Sequence, residues 1–183
     1  MRALIATGYL NFRMRAMVMS FASYHLWLHW RDPALHLARM FTDYEPGIHY
    51  CQAQMQSGTT GINTIRIYNP LKQSQDQDPD GVFIRRWILE LRDMPKDFLH
   101  TPWLFPERMG GYPMPIVDEK TARKYAADKL FGLRKKSGHG PEAKRIAAKH
   151  GSRKSGVPRP DLQEQARVKA EKKKQDDRQG SLF

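Results

Sequence analysis

The chain has 183 residues, 40% of them hydrophobic, and carries 31 Lys and Arg against 19 Asp and Glu, a net charge of +12. Its size suits one ordinary domain with a modest core and not two. The single cysteine, Cys51, excludes a disulfide framework and points to a reducing, cytoplasmic setting. The longest run near the start without Asp, Glu, Lys or Arg, residues 16–30, is too short to span a bilayer, and the first residues lack the apolar core of a signal peptide, so no membrane role is expected. Charge is uneven. Residues 1–110 hold 12 basic and 10 acidic side chains, whereas 111–183 hold 19 and 9. A nearly neutral, aromatic-rich body is followed by a polycation. Such a segment attracts polyanions by releasing their condensed counterions, which makes nucleic acid the default partner. A solvated tail that aids solubility is the alternative, and composition leaves both open.

In chain order, the first element is a helix over 11–30, where Met14, Met17, Phe21, His25 and Leu28 recur at spacings of three and four. Met14, Met17 and Met19 read as core filler. His25 and His29 have the i, i+4 spacing of a chelating pair, but no acidic residue lies between them and His25 falls on the apolar stripe, so no metal site is expected. Asp32-Pro33 restarts the chain, with Asp32 as cap and Pro33 in the first turn, and a second helix runs to about Thr42, burying Leu35, Ala38 and Phe41. Residues 43–80 show no sustained periodicity and contain Pro46, Gly47, Gly58, Gly61 and Pro70, the composition of a long functional loop. A turn at 76–81 leads into a third helix over 82–91, with Phe83, Trp87 and Leu91 in line and Ile84 and Ile88 widening the stripe. Pro95, Pro102 and Pro106 then forbid long helices. Asp118 opens a short helix over 118–131 with Ala122, Tyr125, Ala126 and Leu130 on one side. Residues 134–160 are too polar to offset the entropy of ordering and are expected to be disordered, and 161–177 read as a charged helix without a core stripe. The fold class is all-α: a partial helical bundle over 1–117, a connector over 118–131 and a basic, largely disordered tail over 132–183. Three helices and a long loop rarely close a core, so the body reads as the end of a larger helical domain.

Several linked segments carry a resemblance. Thr7-Gly8-Tyr9-Leu10-Asn11-Phe12-Arg13-Met14-Arg15 is similar to the helix-opening signature of the photolyase–cryptochrome family, and Trp30-Arg31-Asp32 fits its next segment. Asp43-Tyr44-Glu45-Pro46-Gly47-Ile48-His49-Tyr50 resembles the family's flavin-contacting loop, and Arg66-Ile67-Tyr68-Asn69-Pro70-Leu71-Lys72-Gln73-Ser74 its DNA-side motif. Phe83-Ile84-Arg85-Arg86-Trp87-Ile88-Leu89-Glu90-Leu91, His100-Thr101-Pro102-Trp103 and the Tyr112–Asp118 segment close the pattern, which covers residues 3–120 in the family's order.

The resemblance implies the C-terminal part of a helical FAD-binding domain. In that family an excited, reduced flavin donates an electron to a pyrimidine dimer in DNA, which splits and returns it, and photolyases flip the target base out of the duplex. The protein holds the cofactor and aims it. By resemblance, Arg15 and Asp43 match an ion pair beside the isoalloxazine, a planar and rigid arrangement suited to placing a ring system. Tyr44, Glu45 and His49 share the cofactor loop. Glu45 stands where the family usually has a second Asp. His49 aligns with the position facing flavin N5, where relatives carry Asn, Asp or Cys; an imidazole there either donates a proton near neutral pH or is a loop histidine without a titrating role. Trp30 matches one member of the family's tryptophan electron-transfer chain, taken here as the catalytic residue, while the member nearest the flavin aligns with Ala53 and a substrate-packing aromatic with Met55. Phe12, Arg13, Arg66, Asn69 and Gln73 are the implied DNA contacts, Phe12 occupying a place where a polar residue is usual.

The family places an antenna domain and much of the flavin site earlier in the chain than anything here. The expected function is therefore that of a flavin-domain fragment for light-driven repair of UV-damaged DNA, not competent alone, with the upstream half of a split photolyase as a candidate partner. Two alternatives stay open: a blue-light photoreceptor of cryptochrome type, and a non-enzymatic basic nucleic-acid-binding protein whose flavin region is vestigial.

Overall fold

The computed structural model describes residues 1–60, 63, 65–136, 145, 146 and 149. The tail expected to be disordered and the charged helix over 161–177 lie almost wholly outside the described residues. Among the described residues all regular structure is helical, as the sequence implies. The chain divides into two units. The first, Met1–Thr59 with Ile65–Leu133, holds nearly all that follows. In the second, Thr60–Thr64 with Arg134–Phe183, Asn63 Nδ2 donates to Thr60 Oγ1 at 3.3 Å.

Helix α1 (Arg2–Thr7) ends at Gly8, whose φ of 67° is left-handed and whose N–H closes the last turn on the Leu4 carbonyl. A Cβ there would lie 2.3 Å from Thr42 Cγ2, so glycine is required by both backbone and neighbour. Helix α2 (Phe12–Ser20) begins at Asn11, whose side chain accepts from Met14 N at 3.0 Å, and widens into a π-helical turn over Phe21–His25. The element thus stops at His25, short of the expected Trp30. The chain leaves it through Trp27, held at a φ of 54°. The stripe is also rotated from the one expected. Ala16, Met19, Ser20, Ala22, Ser23 and Tyr24 are buried, and of the expected stripe His25 is buried and Met14 packs on the core, while Leu28 is exposed.

Helix α3 (Arg31–Ala38) starts one residue before the expected cap. Trp30 is its N-cap, with no side-chain cap bond, and Asp32 lies in the first turn, where its charge favours the helix dipole. Ala34, Leu37 and Phe41 are buried; Leu35 and Ala38 are only half-buried.

The stretch expected to be one long loop contains two helices. In α4 (Pro46–Gln56), Glu45 caps by accepting from Gly47 N at 3.0 Å and Ile48 N at 2.6 Å, with Pro46 in the first turn. In α5 (Pro70–Gln77), Asn69 accepts from Lys72 N at 2.9 Å and Pro70 follows the cap. Both prolines start helices, since their missing N–H would lack a partner there anyway.

Helices α2, α3 and α4 pack together with α1 over one core of Leu4, Leu10, Met19, Ala34, Leu37, Phe41 and Ala53, against which Trp30, Tyr50 and Trp87 are half-buried. Each fully buried Leu contributes about 1.5–3 kcal/mol. Helix α6 (Val82–Trp87) is shorter than the expected element because Ile88 (φ −120°, ψ 86°) leaves helical space. Asp78 caps it from four residues upstream of Val82, accepting from Phe83 N and Ile84 N across Gly81. After it come four 3₁₀ turns, Leu89–Leu91, Lys96–Phe98, Pro102–Leu104 and Pro106–Arg108, around a second core of Leu91, Met94, Leu99 and Met109. Arg85 Nη1 ties that region together, donating to the carbonyls of Arg92 at 2.7 Å and Met94 at 2.8 Å. Asp118 accepts from Thr121 N at 2.8 Å and opens α7 (Glu119–Lys136), which runs past the expected end at 131. Ala126 is fully buried against Tyr24 and Ile65, and Leu130 packs on them, whereas Tyr125, expected on the same side, is exposed.

Candidate functional site

A cavity of about 200 Å³ opens where α2, the end of α3 and α4 converge. Its apolar floor is Ala16, Met19, Leu37, Phe41 and Ala53, and its polar rim is Arg15, Asp43, Tyr44, Glu45, His49, Gln52 and Gln56. Arg15 reaches it because the Asn11 cap starts α2 at a register that puts the residue four positions on over the loop after α3. Its Nη2 donates to both carboxylate oxygens of Asp43, at 2.8 and 3.0 Å. Its Nε donates to the Leu10 carbonyl at 2.6 Å, and the guanidinium carbon lies 4.1 Å from the centroid of the Phe41 ring. Two hydrogen-bonded edges and an aromatic face leave the guanidinium little freedom. The arginine beside Asp43 holds that carboxyl below its ordinary range, so Asp43 stays ionised at neutral pH.

The remaining loop residues fall around this pair in different ways. Tyr44 lies edge-on to His49 at 5.4 Å, and its hydroxyl is pushed up by a hydrogen bond to Tyr50. Both Glu45 oxygens are engaged by the first N–H groups of α4, so this side chain orders the helix at the cavity's rim. His49 Nε2 lies 2.8 Å from the Ala34 carbonyl. A carbonyl can only accept, so Nε2 carries the proton, and the neutral ring has only a lone pair at Nδ1.

Sequence reasoning missed Gln52 and Gln56. They follow Ile48 and His49 at helical spacing on α4, a signal hidden because the segment was read as a loop. Gln52 lines the cavity, and its Oε1 is buried with no hydrogen-bond partner, an acceptor left unsatisfied beside the site.

Residues 1–131 match the family model of the FAD binding domain of DNA photolyase. The chain belongs to this family. A deoxyribodipyrimidine photo-lyase of Alkalihalophilus pseudofirmus is 34% identical over 137 residues, 69% of this chain and 29% of the relative. A cryptochrome DASH of Gloeobacter violaceus is 34% identical over 128 residues, 64% of this chain and 26% of the relative. The crystal structure of an archaeal photolyase from Sulfolobus tokodaii, solved with two FAD molecules, superposes with a TM-score of 0.66 at 32% identity, covering 72% of this chain and 30% of that one. The chain thus spans less than a third of the length of the photolyase-family proteins it matches. FAD is the cofactor this family of domains is named for, in agreement with the sequence.

Within this photolyase-type domain the other expected site residues are dispersed. Phe12 is 65% exposed and lines the cavity, with Arg13 exposed beside it. Arg66 is exposed just before α5. Asn69 is the cap of α5, and Gln73 on the same helix has a buried Oε1 without a hydrogen-bond partner. Trp30 lies outside the cavity, half-buried against the first core. His25 and His29 do not share a helix face, because the π-helical turn ends at His25. The His25 ring is buried, stacked on Phe21 at 5.1 Å, and lies 3.7 Å from Glu119. Burial pushes its pKa down, opposed by Glu119. Among the described residues no three His, Cys, Asp or Glu gather to hold a metal ion, and no helix is long and apolar enough to cross a membrane.

Proposed function

We propose that this chain supplies one wall of the flavin site of a photolyase that repairs pyrimidine dimers in UV-damaged DNA, in the cytoplasm. The upstream part of the domain supplies the facing wall, whether in one chain with these residues or as the other half of a split photolyase. The observation that carries this reading is the Arg15–Asp43 pair, immobilised at the mouth of a cavity with an apolar floor.

The residues present fit a planar, polar-edged ring. The floor is apolar, the rim offers an ion pair and the unpartnered Gln52 acceptor, and about 200 Å³ suits one ring system more than a whole dinucleotide. The rest of the cofactor then requires walls beyond the residues described. In the reduced form, FAD supplies the light-excited electron that splits the dimer. Arg15 and Asp43 fix the orientation of the ring edge, Phe41 limits the movement of Arg15, and His49 presents a lone pair while neutral. Phe12 and Arg13 at the opening, and Arg66, Asn69 and Gln73 beside α5, would meet the DNA: cationic groups on phosphates, Phe12 stacking on a base. Trp30, apart from the cavity, would serve as a relay in reducing the flavin. In this reading 1–117 is the flavin-domain part, 118–131 the connector and 132–183 the basic tail.

A cryptochrome-type photoreceptor is the second reading, favoured by the apolar Phe12 at the opening and by the cryptochrome relative. The test is co-expression with an upstream photolyase half and measurement of flavin absorbance. A yellow complex is expected, with Arg15→Ala retaining at least tenfold less flavin. Light-dependent repair of dimer-containing oligonucleotides then separates enzyme from receptor. A colourless product with and without the partner would leave only the non-enzymatic, nucleic-acid-binding alternative.

A further inference from the structure

A second recess lies away from the flavin-side cavity. It is an open groove of about 400 Å³ bordered by the end of the π-helical turn, the segment leading into α3, the end of α4 and α7. Its walls include Ser23, Trp27, His29, Trp30, Ser57 and Thr59.

Three independent features set it apart from an accidental surface dent. Ser23, 9% exposed, has a buried hydroxyl without a hydrogen-bond partner, although it borders the groove. An orphaned buried hydroxyl is unfavourable unless a ligand completes it. Trp27 occupies left-handed backbone space, φ 54°, at a position where glycine would be unstrained, and the strain keeps a 45% exposed indole at the groove. Strained non-glycine residues and π-helical turns concentrate at functional sites. Finally, the hydroxyls of Ser57 and Thr59 lie 3.0 and 3.1 Å from the Gln54 carbonyl and 3.3 Å from each other, so their protons are shared within this cluster and lone pairs remain to accept from a ligand.

Beside the groove, on α7, stand a further aromatic ring and a cation. Tyr125 on α7 meets Trp27 edge to face at 5.3 Å, and Lys129 lies 5.5 Å from the Tyr125 ring centroid. An exposed indole, hydroxyl acceptors, an orphan hydroxyl and a lysine over a neighbouring tyrosine ring form the combination that holds a base by stacking and its phosphate by charge. We propose that this groove binds a nucleobase carrying a 5′-phosphate, with Trp27 stacking on the base, Ser23, Ser57 and Thr59 meeting its polar edge, and Lys129 facing the phosphate. The site is separate from the flavin reading and stands without it.

The experiment is calorimetric titration of the full chain, at about physiological salt, with adenosine monophosphate, with an eight-residue oligodeoxyadenylate and with ribose 5-phosphate. Base-bearing ligands bind and ribose 5-phosphate does not. Binding of the mononucleotide identifies a free nucleotide as the source; binding of the oligomer alone identifies a single strand. Trp27→Gly removes the stacking face while accepting the same backbone, so affinity falls tenfold or more with no loss of melting temperature. Ser23→Ala reduces affinity about fivefold and decides the question if the Trp27 variant does not fold. Absence of binding in both base-bearing arms overturns the proposal. So does affinity that is untouched by these two substitutions, or that falls with Arg15→Ala instead, since the ligand would then lie in the flavin-side cavity.

Discussion

The two cores of this domain are built by different means. The first, around Leu4, Leu37 and Ala53, is enclosed by four helices whose ends are closed by Asn11, Glu45 and the left-handed Gly8. The second, around Leu91, Met94, Leu99 and Met109, has α6 at its edge and otherwise only 3₁₀ turns started by proline or broken after three residues. In the first, order comes from the volume of interlocking side chains. In the second, few backbone groups are satisfied by regular helix, and a single guanidinium, that of Arg85, collects carbonyls from Arg92 and Met94. The difference separates a region that depends on apolar fit from one that depends on backbone constraint and a polar staple, and the functional cavity belongs to the former.

The largest effect should come from emptying the first core. Leu37→Ala is expected to cost about 3 kcal/mol in chemical denaturation, from lost transfer energy and the cavity left behind. Because Leu37 also floors the flavin-side cavity, this variant should weaken ring binding as well. In the second region the corresponding lesion is a methyl group on the backbone. Gly81→Ala would put a Cβ 1.8 Å from Leu99 Cδ2 at a φ of 68°, and a loss of about 2–3 kcal/mol is expected from strain and clash together. Arg85→Met keeps most of the aliphatic stem and removes the staple; a loss of about 2 kcal/mol would show that polar satisfaction governs this half. A loss below a few tenths would erase the contrast drawn between the two cores. Glu45→Ala strips the α4 cap and should cost about 1 kcal/mol by thermal melting.

The smallest effect joins the two regions. Arg2 on α1 donates both terminal nitrogens to Glu90 in the second, at 2.6 Å each. The arginine holds the Glu90 carboxyl down at about 2 from 4.5. A carboxyl lowered on folding contributes above its unfolded pKa and loses that contribution as pH falls through the folded value. Melting curves of the wild type and Glu90→Gln should therefore differ at pH 7 and converge between about pH 4.5 and 2. As both groups are exposed, the difference is modest and shrinks with salt.

How far the sequence discloses this arrangement depends on the residue. Arg15 and Asp43 were paired from motif order alone, and their side chains do meet, because a cap at Asn11 and a buried Phe41 hold both partners in register. Helices α4 and α5 are not legible, since Pro46, Gly47 and Pro70 read as breakers although the two prolines sit in first turns. The glutamines of α4 also face a cavity rather than a core, so no apolar stripe marks the helix. The early end of α2 was equally illegible: nothing in the spacing of Met14, Met17 and Phe21 announces a π-helical turn or a tryptophan in left-handed space. The sequence could reveal partners that a motif links but not the rotation of a helix whose contact face is made of Ala and Ser.

The left-handed joint at Gly8 has a mechanical consequence. The Gly8 carbonyl accepts from Thr42 N at 3.0 Å and from Thr42 Oγ1 at 3.3 Å, while the Leu10 carbonyl, two residues on, accepts from Arg15 Nε. Thr42 precedes Asp43 directly. The short link between the first two helices is thus clamped to both halves of the ion pair through the Gly8 and Leu10 carbonyls. A pull on α1 would be transmitted to the cation and the anion at once, displacing them in concert and not prising them apart.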